Sequence, residues 1–172
     1  MLKITGVILC ISGCAGYGML KIAGWNKVLL ELEQWILLFE KMKSLIYYQR
    51  DGLEEICVHM NQDIYGIGGM YVSKAGENAL KKRNRGFEEI WKEEISQWKK
   101  ESSVPLKFKN MIYEFPEYMG EQDYELQIGI LELFISNLIR EKETMENQLC
   151  EKKKPVMAIS LISGMVISIL FL

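Results

Sequence analysis

The sequence predicts an all-α protein, a helical bundle of about six helices with an N-terminal and a C-terminal transmembrane helix. Three observations carry this. Apolar residues recur at three- and four-residue spacing through the middle of the chain, no alternating run of strand length interrupts them, and charge is excluded from both ends. Every Lys, Arg, Asp and Glu, and the single histidine, lies between Lys21 and Lys154, with Lys3 as the one exception. At 172 residues and a net charge of −2, one ordinary domain of residues 25–151 is expected between an N-terminal span (residues 1–24) and a C-terminal span (residues 152–172).

Ile4 to Leu20 and Pro155 to Leu172 contain no charge. As helices each reaches about 25 Å, slightly less than a hydrocarbon core of about 30 Å, so flanking lysines are expected to snorkel. Lys152 to Lys154 give the second span an anchor to anionic headgroups, and Pro155 suits a first helical turn. Lys21, Lys27, Arg140, Lys142 and Lys152 to Lys154 crowd the inner approaches against Lys3 alone outside, which places the middle domain in the cytosol. An alternative reading is a secretory leader: Ile11-Ser12-Gly13-Cys14 resembles a lipobox, which would leave a lipid-anchored adaptor facing the cell exterior. The apolar run continues past Cys14 to Leu20, which favours a span. Four cysteines, two of them in the first span, imply no disulfide framework.

The first helix is expected to run without a break from the span into the domain. Leu29, Leu32, Ile36, Phe39 and Ile46 make one stripe, with Trp35, Leu38, Met42 and Leu45 beside it, ending at Asp51-Gly52. A second helix is expected from Leu53 to Tyr65 through Ile56, Met60 and Ile64, broken by Gly66 to Gly69. A third covers Met70 to Lys82 and ends in a basic turn, Lys81 to Gly86. A fourth covers Phe87 to Ser102, with Phe87, Ile90, Trp91, Ile95 and Trp98 at core spacing. A short fifth covers Pro105 to Tyr113. The last begins near Glu121 and carries a seam of Tyr124, Ile128, Leu131, Ile135, Leu138, Met145 and Leu149 on toward the second span.

Small residues step by four in each span: Gly6, Cys10, Cys14 and Gly18 in the first, Ser160, Gly164 and Ser168 in the second. Such rows let backbones approach closely in lipid, either between the two ends of one chain or between copies in a homo-oligomer. Small residues are also simply frequent in membrane helices.

The sequence offers little for chemistry. His59 stands two residues after Cys57, on a different helix face, and no metal-binding spacing accompanies it. Gly66, Gly68 and Gly69 lack the strand and lysine of a phosphate loop. Glu88, Glu89, Glu93 and Glu94 have lysines near one turn on and make a solvated face. No catalytic residue, metal or cofactor is therefore expected. The basic turn is short and sits in a net-acidic domain, so a solvated turn is the simpler reading and nucleic acid is not an expected partner.

One segment is more specific: Phe115 to Gln127, with Gly120, Asp123 and Gln127 spaced Gly-x-x-Asp-x-x-x-Gln. Gly120 allows a chain reversal, and Asp123 complements a helix N-terminus. With the leading Met-Leu-Lys span, the Asp51-Gly52-Leu53-Glu54-Glu55-Ile56 stretch, Trp98 and the final span, the whole chain resembles the stage III sporulation protein AB family of endospore-forming bacteria. Gly52, Pro116 and Met119 depart from that family's usual proline, glycine and leucine. The family is similar to the cytoplasmic domains of F-type platform proteins of type II secretion. The resemblance implies a non-enzymatic platform or scaffold subunit of the channel complex between mother cell and forespore, in the mother-cell membrane, with its central domain cytoplasmic. It also implies two partners beside the membrane, a sporulation ATPase and other subunits of the same channel. On that reading Gly120, Asp123, Gln127, Lys82, Arg83, Arg85 and the glutamates of the fourth helix are candidate contacts.

Overall fold

A computed structural model describes the chain except residues 1, 50–51, 61, 83, 120–123 and 171–172; it also leaves undescribed the side chains of 2–5, 7–11, 62, 124, 161, 168 and 170. Among the described residues there are six helices and no strand: α1 (Leu2–Gln49), α2 (Leu53–Val58), α3 (Gln62–Lys81), α4 (Phe87–Glu101), α5 (Leu106–Tyr118) and α6 (Tyr124–Leu170). The chain forms two compact units. One contains Met1–Leu29 and Glu143–Leu172, the other Leu30–Lys142.

In the Leu30–Lys142 unit the apolar stripes become the core. Leu32, Trp35, Ile36, Leu38, Phe39, Met42, Leu45 and Ile46 of α1 are buried, as are Ile90, Trp91, Ile95 and Trp98 of α4 and Leu131, Ile135 and Leu138 of α6. Leu29, Phe87 and Ile128 are only half-buried. Aromatic rings knit the centre. Phe39 lies 4.7 Å from Phe115 and 4.8 Å from Phe134, and Phe115 lies 5.4 Å from Trp91 and 5.1 Å from Phe134. Trp35 meets Trp98 edge-on at 4.7 Å. These tilted geometries suit the ring quadrupole and tie α1, α4, α5 and α6 together.

The second and third helices differ from expectation. α2 stops at Val58, seven residues before the expected end, because tight bonds from His59 N–H to the Ile56 carbonyl and from Met60 N–H to the Cys57 carbonyl, both 3.1 Å, turn the chain there. Ser73 Oγ donates to the Val58 carbonyl at 3.3 Å. Ile64, expected in the core, starts on a new helix in another phase and is exposed. The break expected at the glycines is a kink at Gly66 (φ 59°, ψ −150°), a non-helical conformation nearly confined to glycine that divides α3 into two helical parts, while Gly68 and Gly69 lie within the second part. The others are needed for close approach. A Cβ at Gly68 would stand 2.6 Å from the Trp35 indole, and one at Gly76 would stand 2.7 Å from the Glu54 carbonyl and 2.8 Å from the Val58 nitrogen.

α5 also outruns its expected end at Tyr113. It continues to Tyr118 with Pro116 inside it. A proline removes the N–H that would reach the carbonyl four residues back. Here that carbonyl belongs to Ile112, and the buried Trp91 indole N–H donates to it at 2.9 Å. The helix therefore loses no acceptor partner. Pro105 is the N-cap of α5, one residue before its first turn, and Val104 N–H bonds Ser102 Oγ at 3.1 Å. α4 begins with Glu88 and Glu89 and ends with Lys99 and Lys100, which complements its dipole. At its C-terminus the buried Lys109 donates to the carbonyls of Lys99 (2.9 Å) and Ser102 (2.5 Å).

In the other unit, Gly18 packs against Ser160. A Cβ at Gly18 would be 2.9 Å from Ser160 Oγ and 3.6 Å from Met157 Sδ. Ser160 Oγ donates to the Val156 carbonyl at 2.8 Å. Among the described residues no helix is long and apolar enough to cross a membrane. The expected spans also include side chains outside the described set, at 2–5, 7–11, 161, 168 and 170, and the terminal residues 171–172. Pro155, expected in a first turn, lies inside the continuous α6.

Two substitutions test this packing. Phe39→Ala should cost about 3–5 kcal/mol by emptying the ring cluster, and Gly76→Ala about 1–3 kcal/mol because a backbone carbonyl cannot retreat from the new methyl. Chemical denaturation followed by far-ultraviolet circular dichroism reads both, and an unchanged midpoint for either would contradict the packing described.

Candidate partner-binding surface

The residues singled out for contacts fall into three groups. Gly120, Asp123 and Arg83 lie outside the described residues. Lys82 is exposed in the turn that follows α3, where Arg85 N–H closes onto the Lys82 carbonyl at 3.1 Å. Arg85 is held between two carboxylates of α4, Glu89 and Glu93, each at 2.8 Å. That fork fixes the turn to the start of α4. The Arg85 hydrogen bond holds the Glu89 carboxyl below its usual range.

The remaining acids of α4 are engaged too. Lys92 bridges Glu88 of α4 at 2.6 Å and Glu117 of α5 at 2.5 Å, and these bonds push its pKa upward. Glu94 accepts a bond from Asn78 Nδ2 of α3 at 2.8 Å. The glutamates therefore stitch α3, α4 and α5 together, an outcome that charge spacing along one helix could not reveal.

Groups suited to chemistry are occupied or isolated. Burial pushes the Cys57 thiol far above its ordinary range, with the charge of Glu54 adding to the effect, so its nucleophilic thiolate is suppressed. His59 is exposed at the C-terminal cap of α2, and no group of three metal-ligating side chains occurs among the described residues.

What the sequence reading missed is an apolar groove between α5 and α6. Met111, Tyr118, Ile130, Leu133, Phe134 and Asn137 enclose about 280 Å³. Leu133 is 66% exposed and Leu126, one turn before Ile130, 54% exposed. Leu126, Ile130, Leu133 and Asn137 form a second stripe on α6, offset from the buried seam, and this spacing was the available signal. Gln127 is half-buried in the second turn of α6. The Gly120 to Asp123 segment joins the helices that make the two walls.

In the other unit Gly18 and Gly164 are buried and Cys14 is half-buried; Gly6 is exposed with open space around it. Of the small-residue rows, the structure brings Gly18 and Ser160 together. Cys10 and Ser168 have no described side chain.

These features define a class: among the described residues, an all-helical protein built on two long helices, α1 and α6. Within that class the chain belongs to the stage III sporulation protein AB family, whose model matches residues 3–172, and the membership assigns it a role in sporulation. No curated protein and no solved structure matches it.

The Arg85 fork gives a pH test. Glu89 titrates lower in the folded chain than unfolded, so its contribution to stability is present above the unfolded glutamate pKa of about 4.3 and is lost as pH falls through the lower folded value. Glu89→Gln should therefore unfold at lower temperature than the parent at neutral pH, and the gap should close in acid. Melting curves from neutral to acidic pH check this.

Proposed function

We propose that this chain is a membrane-anchored, non-enzymatic platform subunit of the channel complex between mother cell and forespore, and that its Leu30–Lys142 unit docks a secretion-type ATPase from the cytoplasmic side. One observation carries the reading. In the unit formed by Met1–Leu29 and Glu143–Leu172, small residues face inward at Gly18, Ser160 and Gly164, while Tyr17, Met19, Leu20, Ile159, Ile162, Met165, Val166, Ile167 and Ile169 are 37 to 75% exposed. A unit bathed in water would reverse this arrangement, because each large side chain left exposed forgoes about 1.5–3 kcal/mol of burial. Hydrocarbon around the helices removes that cost and leaves close packing of small residues as the source of association.

Charge supports the orientation: apart from Lys3, the lysines of this unit lie on the sides of the charge-free runs that lead into the Leu30–Lys142 unit. Family membership supports the setting in sporulation. The apolar groove between α5 and α6 is the surface we assign to the ATPase or a neighbouring subunit. Mode of action is docking, since the groups suited to catalysis are buried, isolated or engaged in ion pairs.

The anchor is tested on cells expressing the full chain. Alkaline carbonate should leave it in the membrane pellet, and an impermeant thiol reagent should reach the exposed Cys150 only in inside-out vesicles. Labelling of Cys150 in intact cells, or a mass corresponding to cleavage before Cys14, would instead support an exterior adaptor. Cys57 is buried and should stay unlabelled from either side. For docking, Leu133→Lys should abolish co-purification of the ATPase without lowering the melting temperature, and undiminished co-purification would exclude the groove.

A further inference from the structure

The unit that carries the exposed apolar belt also concentrates positive charge. Across Met1–Leu29 and Glu143–Leu172 there are six lysines, of which Lys21, Lys27, Lys152, Lys153 and Lys154 flank the charge-free runs on one side, against three carboxylates, Glu143, Glu146 and Glu151. Elsewhere Lys43, Lys81, Arg85, Lys92, Lys107 and Lys142 lie within 4 Å of a carboxylate, and Lys99 and Lys109 bond neutral oxygens. Among the described residues none of the five lysines does so. Their solvation or an outside partner must satisfy them.

Their placement is ordered. Met1–Leu29 leaves this unit at its C-terminal end and Glu143–Leu172 enters it at its N-terminal end, so the two helices run antiparallel past the Gly18–Ser160 contact. Seven residues after Gly18 is Trp25, and seven residues before Ser160 is Lys153, so the two stand at one level about 10 Å along the axis from the contact. Both are half-buried, and Lys21, Lys27, Lys152 and Lys154 beside them are exposed. A tryptophan at the edge of an apolar belt, ringed by lysines with free ammonium groups, is the arrangement that suits an acyl-chain boundary with phosphate above it.

We propose that Lys21, Trp25, Lys27 and Lys152 to Lys154 form a composite site for the phosphate headgroup of anionic phospholipid, contributed by both α1 and α6. The proposal rests on the membrane reading above and adds to it a lipid class. Zwitterionic phospholipid carries a compensating ammonium and meets the same lysines with no net attraction. The site thus selects lipid charge, and it holds the two helices to one leaflet.

The test uses the full chain reconstituted into bilayers of phosphatidylcholine mixed with phosphatidylglycerol, then released and examined by mass spectrometry for retained lipid. The parent should retain phosphatidylglycerol well above its share of the bilayer. A variant carrying Lys21→Gln, Lys152→Gln, Lys153→Gln and Lys154→Gln should retain the two lipids in the bilayer's own ratio, with its helix content and carbonate resistance unchanged. Excess inorganic phosphate should not displace the lipid. No preference in the parent, a preference kept by the variant, or displacement by phosphate would each overturn the lipid assignment while leaving the anchor intact. Extraction of the parent by carbonate would instead bring down the anchor and this site with it.

Discussion

The pairing of α1 with α6 within one chain is the interaction on which both units rest. In the Leu30–Lys142 unit it is made of Phe39 against Phe134 at 4.8 Å, flanked by Lys43 to Glu132 at 3.3 Å and Lys142 to Glu33 at 3.6 Å. The ion pairs are partly exposed and worth little each, so the rings and the neighbouring aliphatic seam supply the energy while the charges help set register. In the other unit the same two helices meet through Gly18 and Ser160. Large side chains hold the pair together where water drives burial, and small ones hold it where large side chains remain outside.

The shorter helices then have their places fixed by single contacts. Trp91 supplies the donor that lets α5 continue through Pro116, and Lys109 closes the C-terminus of α4. Trp98 donates to Glu31 at 2.7 Å, binding α4 to α1. Of the three buried indoles, Trp35 is the one whose N–H has no acceptor among the described residues. It lies against Gly68, where no side chain would fit.

Much of this was legible beforehand because apolar periodicity reports burial directly: the stripes on α1 and α4 are buried except at Leu29 and Phe87, and Leu131, Ile135, Leu138 and Leu149 of the α6 seam are buried while Ile128 and Met145 are half-buried. Failures came where a residue's meaning depends on a distant partner. Gly68 read as part of a helix break and Gly76 drew no reading, yet they are the points where Trp35 and the backbone of α2 come close. The expected end of α5 at Tyr113 fell short because the Trp91 indole that satisfies the Ile112 carbonyl opposite Pro116 is 21 residues from that carbonyl in sequence. Arg85 read as part of a free basic turn, though Glu89 and Glu93 enclose it. The groove went unseen because α6 carries two apolar stripes and the stronger one was taken to be the whole signal.

On the proposed reading the chain works by geometry: lipid and lysines hold one unit, and the other presents a groove to the machinery of the channel. That economy makes the α1–α6 pairing its central claim. The direct measurement is oxidation of a Gly18→Cys, Ser160→Cys variant in which the four native cysteines have been replaced. The positions lie within a few tenths of an ångström of the Cβ spacing a disulfide requires, 3.2 Å from an added Cβ at Gly18 to that of Ser160. The account predicts a disulfide within one chain, seen as a faster-migrating monomer before reduction. Bonds formed solely between chains, or none, would contradict it.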